Sequence, residues 1–426
     1  MSRPDVRVLV WLTLAALVPA CQLTPARQCS LVERVPVTEL VDPARGTETV
    51  PVLDVKVCDA LAARTTSPAV TPASAKTGKK PFNVLVLSGG GAYGAYSAGV
   101  LAGWSETGTR PQFDVVTGVS TGALVATLAF LGPDQDPALK RFYTTVSDRD
   151  VFARNTYLAA LFSDSFRESK PLANLIEWIV DDKILAAIAA EHAKGRRLYV
   201  GTTHLDARRL VVWDMGEIAS RGRPEDLALF RKVLLASASI PGFFPPVPID
   251  VVIDGKPAEE LHVDGGVTAS LFFRSPHVAA DQLKGLGDRP LEGSNLYIVV
   301  AGKLYADPGC VERRLLPIAT DSISALLYSQ CRGDLFQVYA LALATGMNYR
   351  MTSIPMDLDV PRDATSFDPK VMGWLYEQGR ERAKSDHLWR TTPPGTEPGE
   401  EIPIRGGTQL QSLPKVSRES AGPTSK

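Results

Sequence analysis

The sequence predicts an α/β fold, with a mainly parallel central sheet and helices on both faces. Two observations carry this expectation. Short apolar, β-rich runs alternate with longer segments of helical spacing from Pro81 to about Trp389. Within Phe82–Thr127, two such runs also end in loops of special composition. Asn83–Leu87 stops at Ser88-Gly89-Gly90-Gly91, and Phe113–Thr117 stops at Gly118-Val119-Ser120-Thr121-Gly122. A segment of helical spacing follows each loop, Ala92–Trp104 after the first and an apolar stretch through Thr127 after the second. The order is strand, glycine loop, helix, strand, serine turn, helix.

The chain before this core reads as export and tether. Arg3 and Arg7 precede an apolar run, Val8–Val18, and small residues lead to Cys21, the layout of a secretory signal over residues 1–20. Val18-Pro19-Ala20-Cys21 resembles a bacterial lipobox, in which the cysteine is lipidated, although Pro19 departs from the usual residue there. Cleavage after Ala20 without lipidation is the competing reading. Gln22 after Cys21, where an Asp commonly marks inner-membrane retention, leads us to expect an outer-membrane lipoprotein facing the periplasm. Residues 21–80 are rich in Pro, Ala, Thr and Val. We expect a tether with a short element at Val50–Leu61 and disorder over Ala62–Lys80. Beyond the N-terminus, no apolar run reaches the roughly eighteen residues of a spanning helix.

Downstream, helical spacing predicts helices over Pro137–Val146, Lys170–Ala193, Asp226–Ser237, Leu315–Leu343 and Asp368–Trp389. Arg197–Leu205 reads as a buried strand, with Arg209–Met215 as its hairpin partner. Glu260–Val263 is a short extended run into Asp264-Gly265-Gly266. Asn295–Val300 and Arg350–Asp357 are further strands. The domain is expected over residues 81–390, with a disordered Pro/Gly/Ser-rich tail over 391–426.

Several function classes are disfavoured at once. A net charge of −1 leaves no footprint for nucleic acid. The five histidines are scattered and no cysteine pair has metal-ligand spacing, so we expect no metal site. After Cys21 an even set remains, Cys29, Cys58, Cys310 and Cys331, which permits two disulfides in an exported chain. Pairing by proximity, Cys29–Cys58 and Cys310–Cys331, is the preferred arrangement, with free buried thiols as the alternative.

The chemistry sits in the two loops. Three successive glycines at a helix N-terminus expose backbone N–H groups able to hold a phosphate or the oxyanion of acyl transfer. Gly89-x-Gly91-x-x-Gly94 also fits a dinucleotide fingerprint. Its acid, Asp114, however, falls at the start of the second strand rather than at its end. Gly118-x-Ser120-x-Gly122 between strand and helix is the nucleophile-elbow pattern. A base for Ser120 must then be found. His277 and His387 lie downstream but outside the loop context of a catalytic histidine. His262 falls on the same side of an extended segment as Asp264, and its plainer reading is a strand histidine. Asp264, at a strand end before two glycines, is either a base or a plain Asp-Gly turn.

Taken together, the glycine loop, G-x-S-x-G, Ala236-Ser237-Ala238-Ser239-Ile240-Pro241-Gly242-Phe243-Phe244-Pro245-Pro246 and Asp264-Gly265-Gly266 resemble the patatin-like phospholipase family, in that family's order. The resemblance covers about Pro81–Pro276 and runs more weakly to Trp389. It implies a three-layer α/β/α fold and a serine acyl hydrolase without cofactor. Its substrate would be phospholipid or lysophospholipid, met at a membrane surface through the Cys21 anchor. It implies Ser120 as nucleophile, Asp264 as its partner in a Ser–Asp dyad, and Gly89, Gly90 and Gly91 as the oxyanion-hole loop. Gly118, Gly122, Gly265 and Gly266 are the motif glycines. The family's Asp before the glycines is Ser88 here, its basic residue two places after them is Tyr93, and a common Asn after Asp-Gly-Gly is Ser270. An acyltransferase using the same acyl-enzyme and a non-catalytic envelope protein are the alternatives. Phe243, Phe244, Leu271, Phe272 and Phe273 are either core or the wall of an acyl groove.

Overall fold

The computed structural model of the protein describes residues 82–151, 153–154, 167–253, 256–273, 291–397 and 400. The expected signal and tether over 1–80, with Cys21, Cys29 and Cys58, lie outside the described residues, as does His277. The chain divides into two compact units. The larger comprises Pro36–Asp307 and Ser322–Ile404. Of the smaller, Pro308–Asp321 is the described part, and it carries Cys310.

An eight-stranded sheet organises the larger unit. Its strands are β1 (Asn83–Leu87), β2 (Val115–Val119), β3 (Arg197–His204), β4 (Arg209–Asp214), β5 (Val247–Ile253), β6 (Lys256–Asp264), β7 (Asn295–Val300) and β8 (Asn348–Ser353). Five of them, in the order β8-β7-β1-β2-β3, run parallel. The β3–β4, β3–β6 and β5–β6 pairings are antiparallel. Strand β1 shows why the parallel part needs helices on both sides. Leu85 and Leu87 join one apolar cluster while Val84 and Val86 join another. Successive side chains of a strand point to opposite faces, so both faces of the sheet are buried.

The helices are α1 (Gly94–Glu106), α2 (Thr121–Leu131), α3 (Asp136–Thr145), α4 (Lys170–Ile179), α5 (Asp182–Ala193), α6 (Met215–Ser220), α7 (Asp226–Ser237), α8 (Leu315–Thr345) and α9 (Pro369–Ala383). The first cluster takes α1, α2, α7 and α9, with Tyr96, Phe130, Phe230 and Tyr376 among its members. The second lies between the other face and Leu335, Val338 and Ala342 of α8.

Several expectations need correction. The helix expected over Lys170–Ala193 is two helices, because Asp181 stands between them as an N-cap and accepts from Ile184 N–H at 2.9 Å. The second strand is shifted to Val115–Val119, so Gly118 is strand rather than turn. Glu260–Val263 is the end of a nine-residue strand in a β5–β6 hairpin. Pro248 and the Glu259-Glu260 pair disguise that hairpin, a composition typical of sheet margins. The C-terminal helix stops at Ala383, well before Trp389. The tail was expected to be disordered from Thr391. Instead Arg390 binds both carboxylate oxygens of Glu400 at 2.7 Å, and Gly395 N–H donates to the same carboxylate.

The expected Cys310–Cys331 pairing also fails, while Cys29–Cys58 lies outside the described residues. Cys310 is disulfide-bonded, but Cys331 is free, so the partner of Cys310 lies outside the described residues. Cys331 sits on α8 against the second apolar cluster. Burial there pushes its thiol up to about 12. A thiol so placed is a packing group rather than a reactive one.

Candidate active site

The serine turn holds its backbone in the left-handed half of conformational space. Ser120 has φ 55° and ψ −130° between β2 and α2, a conformation that costs a non-glycine residue about 1–3 kcal/mol. The surroundings enforce it. A Cβ on Gly118 would lie 2.4 Å from Gly122 O, and one on Gly122 would lie 2.5 Å from Ser88 O and 2.6 Å from Leu87 O. The two glycines are therefore packing requirements of the elbow. Gly122→Ala is expected to lower stability by about 1–3 kcal/mol, the cost of forcing extra volume into a filled site. A thermal melt measures it.

Asp264 meets Ser120 because of strand register. Strand β2 pairs with β3 as far as Val119↔Gly201. At the next position β6 takes over the same edge, with Thr202↔Asp264, while β4 occupies the other edge throughout. Strands β2 and β6 thus meet end to end along β3. One delivers Ser120 just past its last residue, and the other delivers Asp264 as its last residue. Ser120 Oγ donates to Asp264 Oδ2 at 2.6 Å. Both residues are buried.

The remaining lone pairs of Asp264 are partly used. Gly266 N–H donates to Oδ1 at 2.7 Å. Burial nevertheless raises the Asp264 pKa to about 6, against the pull of the Ser120 and Gly266 donors. A carboxylate held near neutrality is a stronger base than a free one.

The Ala236–Pro246 segment acts as scaffold. Ser120 N–H donates to Ser237 Oγ at 3.0 Å, and Ser237 Oγ donates to Gly201 O at 2.7 Å. Asp264 N–H donates to Ser239 O at 2.9 Å. Thr203 Oγ1 donates to Asp264 O at 3.0 Å. The end of α7 therefore fixes the backbones of both reacting residues. The sequence reading quoted this segment as a motif but gave Ser237 and Ser239 no task. Hydroxyls of this kind are detectable only by their partners.

The glycine loop is clamped at both ends. Ser88 N–H donates to Val299 O, and Ala301 N–H donates to Ser88 Oγ at 2.9 Å. Gly90 has no room for a side chain, since a Cβ would lie 1.9 Å from Ala301 O. The three-glycine reading needs one correction. Gly89 N–H already donates to Ser270 O at 3.0 Å, so it has no proton to offer an oxyanion. Ala92 N–H is likewise taken by Ala364 O at 2.8 Å. Gly90 and Gly91 N–H have no partner among the described residues. Thr121 N–H, at the first position of α2, has no acceptor within its own helix.

Among the described residues no histidine is hydrogen-bonded to Ser120. Trp213 Nε1–H donates to Thr202 Oγ1 at 2.8 Å, so the Thr202 hydroxyl proton is directed to His262 Nδ1 at 2.9 Å. His262 Nε2–H then donates to Glu260 at 3.1 Å. Both ring nitrogens are spent, and burial holds the His262 pKa below its ordinary value. His387 lies in the turn after α9 and is exposed. Tyr93, at the position of the missing basic residue, is buried, and its hydroxyl donates to Pro361 O. The five residues read as either core or groove wall divide between the faces of the sheet. Phe243 and Phe244 pack on the first cluster, and Leu271, Phe272 and Phe273 on the second. Among the described residues no cluster of three or more His, Cys, Asp or Glu suits a metal ion. Nor is any helix there long and apolar enough to cross a membrane.

Comparison with known proteins finds one family model and several solved structures. Residues 85–276 match the model of the family described as patatin-like phospholipase. Among solved structures, VipD from Legionella pneumophila is similar at 12% identity, over 74% of this chain and 68% of that one, with a TM-score of 0.37. Full-length ExoU from Pseudomonas aeruginosa, solved in complex with SpcU, is similar at 16% identity, over 72% of this chain and 52% of that one, with a TM-score of 0.30. The chain thus spans about half the length of ExoU. No curated protein matches it.

Proposed function

We propose that this protein, which carries a patatin-like phospholipase domain over residues 85–276, is a lipid acyl hydrolase working through Ser120 and Asp264. Its substrates are phospholipid or lysophospholipid, and the bond cleaved is a carboxylic ester. The observation that carries the reading is the 2.6 Å hydrogen bond from Ser120 Oγ to a buried carboxylate.

Ser120 Oγ attacks the ester carbonyl carbon while its proton passes to Asp264 Oδ2. A carboxylate is a far weaker base than an alkoxide, so transfer accompanies attack rather than preceding it. The carbonyl π pair moves onto oxygen, where the Gly90, Gly91 and Thr121 N–H groups are the available donors. Each such donor is worth about 2.7–4 kcal/mol in acyl transfer. Collapse breaks the carbon–oxygen bond to the alcohol, which leaves with the proton from Asp264. Water then attacks the acyl-enzyme, again losing its proton to Asp264, and the fatty acid departs as Ser120 recovers its own.

Incubation with defined phospholipids, lysophospholipids and neutral esters, with products weighed by mass spectrometry, tests the reading. Free fatty acid from the first two supports it, and no acyl release from any of them defeats it. The pH profile adds a second test. Asp264 must be ionised to act, and its pKa is about 6. We therefore expect kcat/KM to fall about tenfold per pH unit below 6 and to level off above it.

The N-terminal sequence supports a further element of this reading, a lipid anchor on Cys21 that holds the enzyme to a bilayer. Detergent-phase partitioning checks it, since an unlipidated mature chain stays in the aqueous phase.

A further inference from the structure

We infer that Asp334, on α8, is a positioning residue for the oxyanion loop. The inference rests on the Ser–Asp reading above and extends it to a residue about seventy positions beyond Asp264. The Asp334 carboxylate accepts Ser270 N–H at 2.7 Å and is also hydrogen-bonded by the Leu271 backbone. The carbonyl of that same Ser270 accepts Gly89 N–H at 3.0 Å. One turn earlier on the same face of α8, Gln330 Nε2 donates to Gly266 O at 3.3 Å, and Gly266 N–H holds Asp264 Oδ1.

Helix α8 thus grips the segment from Gly266 to Leu271 at both ends. One end of that segment orients the base, and the other fixes the first glycine of the donor loop. Asp264 ends β6 and Gly89 lies in the loop after β1, far apart in the chain. The Gly266–Leu271 segment bridges them, and Asp334 anchors the end nearer the glycines. A carboxylate suits the task because it can accept two adjacent backbone donors at once. Ser270, which stands where a common family Asn is absent, acts here through its backbone rather than its side chain.

Gly90 and Gly91 follow Gly89 directly, so a shift of Gly89 moves both remaining donors. Such donors act only when placed within hydrogen-bond distance of the developing oxyanion, whereas ground-state binding scarcely uses them. Loss of Asp334 should therefore appear in kcat and leave KM nearly untouched.

The experiment compares wild type, Asp334→Asn, Asp334→Leu and Ser120→Ala in the full chain. It measures kcat and KM on a soluble ester, together with amide hydrogen exchange. For Asp334→Leu we expect kcat about 10²-fold lower and KM within about threefold, as for a misplaced oxyanion donor. Asp334→Asn keeps an acceptor oxygen and should restore kcat to within about tenfold of wild type. Exchange should quicken at residues 88–92 and 266–271 in the leucine variant. If that variant does not fold, Asp334→Ser, which is too short to reach both donors, takes its place under the same criteria.

A folded variant without the acceptor whose kcat stays within threefold, or whose residues 88–92 exchange as in wild type, overturns the inference. Equal losses in the Asn and Leu variants also overturn it. Should Ser120→Ala hydrolyse as fast as wild type, the Ser–Asp reading is what falls. The exchange comparison then decides alone whether Asp334 holds the glycine loop.

Discussion

Replacing Ser120 by Ala is expected to reduce ester hydrolysis by about 10⁴–10⁶-fold, the scale seen when a nucleophile that works as a unit with its base is removed. Labelling by a fluorophosphonate should vanish with it. The fold should survive, because among the described residues Ser120 Oγ has a hydrogen bond only to Asp264 Oδ2. The backbone contacts that hold the elbow, Ser120 N–H to Ser237 Oγ and Ala123 N–H to Ser120 O, do not involve the side chain. A companion variant isolates the strain. Ser120→Gly should be more stable than Ser120→Ala by about 1–2 kcal/mol, since glycine alone adopts φ 55° and ψ −130° without penalty. Labelling of the alanine variant at a single serine would place the nucleophile elsewhere.

Replacing Asp264 by Asn is expected to cost about 10²–10⁴ in kcat, the contribution of a general base. Stability should move the other way. The folded pKa of Asp264 is about 6, above an unfolded value of about 3.9. The group's stabilising contribution is thus fully present below about pH 3.9 and is lost as pH rises through 6. At pH 7 the buried charge is a burden of order 3 kcal/mol, at about 1.4 kcal/mol per pKa unit. Asparagine removes the charge and keeps the geometry, with Oδ1 accepting Gly266 N–H and Nδ2 donating to Ser120 Oγ. The variant should therefore melt higher than wild type at pH 7, and the gap should close near pH 4. Such an inverse relation between stability and turnover is the signature of a functional group held against its own solvation. A combined His262, His277 and His387 to Gln variant should lose far less activity than Asp264→Asn. If instead that variant is folded and inactive, a histidine is the base.

The parts of the site that the sequence made legible are those encoded at short range. Gly118, Ser120 and Gly122 are two residues apart, so their spacing is visible as a motif. A Cβ on Gly118 would meet Gly122 O within the same turn, whereas one on Gly122 would meet Leu87 O and Ser88 O at the end of β1. The sequence places strands β1 and β7 and helix α7 at their observed bounds, because unbroken apolar runs and a helical period are local signals. The β5–β6 hairpin was read only at its last residues. Its stability comes from pairing at the sheet margin, which leaves little mark on hydrophobic pattern. The split at Asp181 shows the same limit inside a helix, where a single cap outweighed a continuous helical period.

Sequence alone determined which residue types stand at the reacting positions, and that each follows a strand. It also determined that glycines flank the serine, although the crowding that requires Gly122 comes from Leu87 and Ser88 at the end of β1. Tertiary structure decided that Asp264 lies against Ser120, through the adjacent registers Val119↔Gly201 and Thr202↔Asp264 on one edge of β3. It decided too that Gly89 is spent on Ser270, leaving Gly90 and Gly91 as the loop's free donors, and that Cys331 remains a thiol. The physical reason is common to all of these. A hydrogen bond between residues 144 or more positions apart depends on how strands and helices pack against one another. Packing is settled by the burial of whole faces, and no local spacing records it.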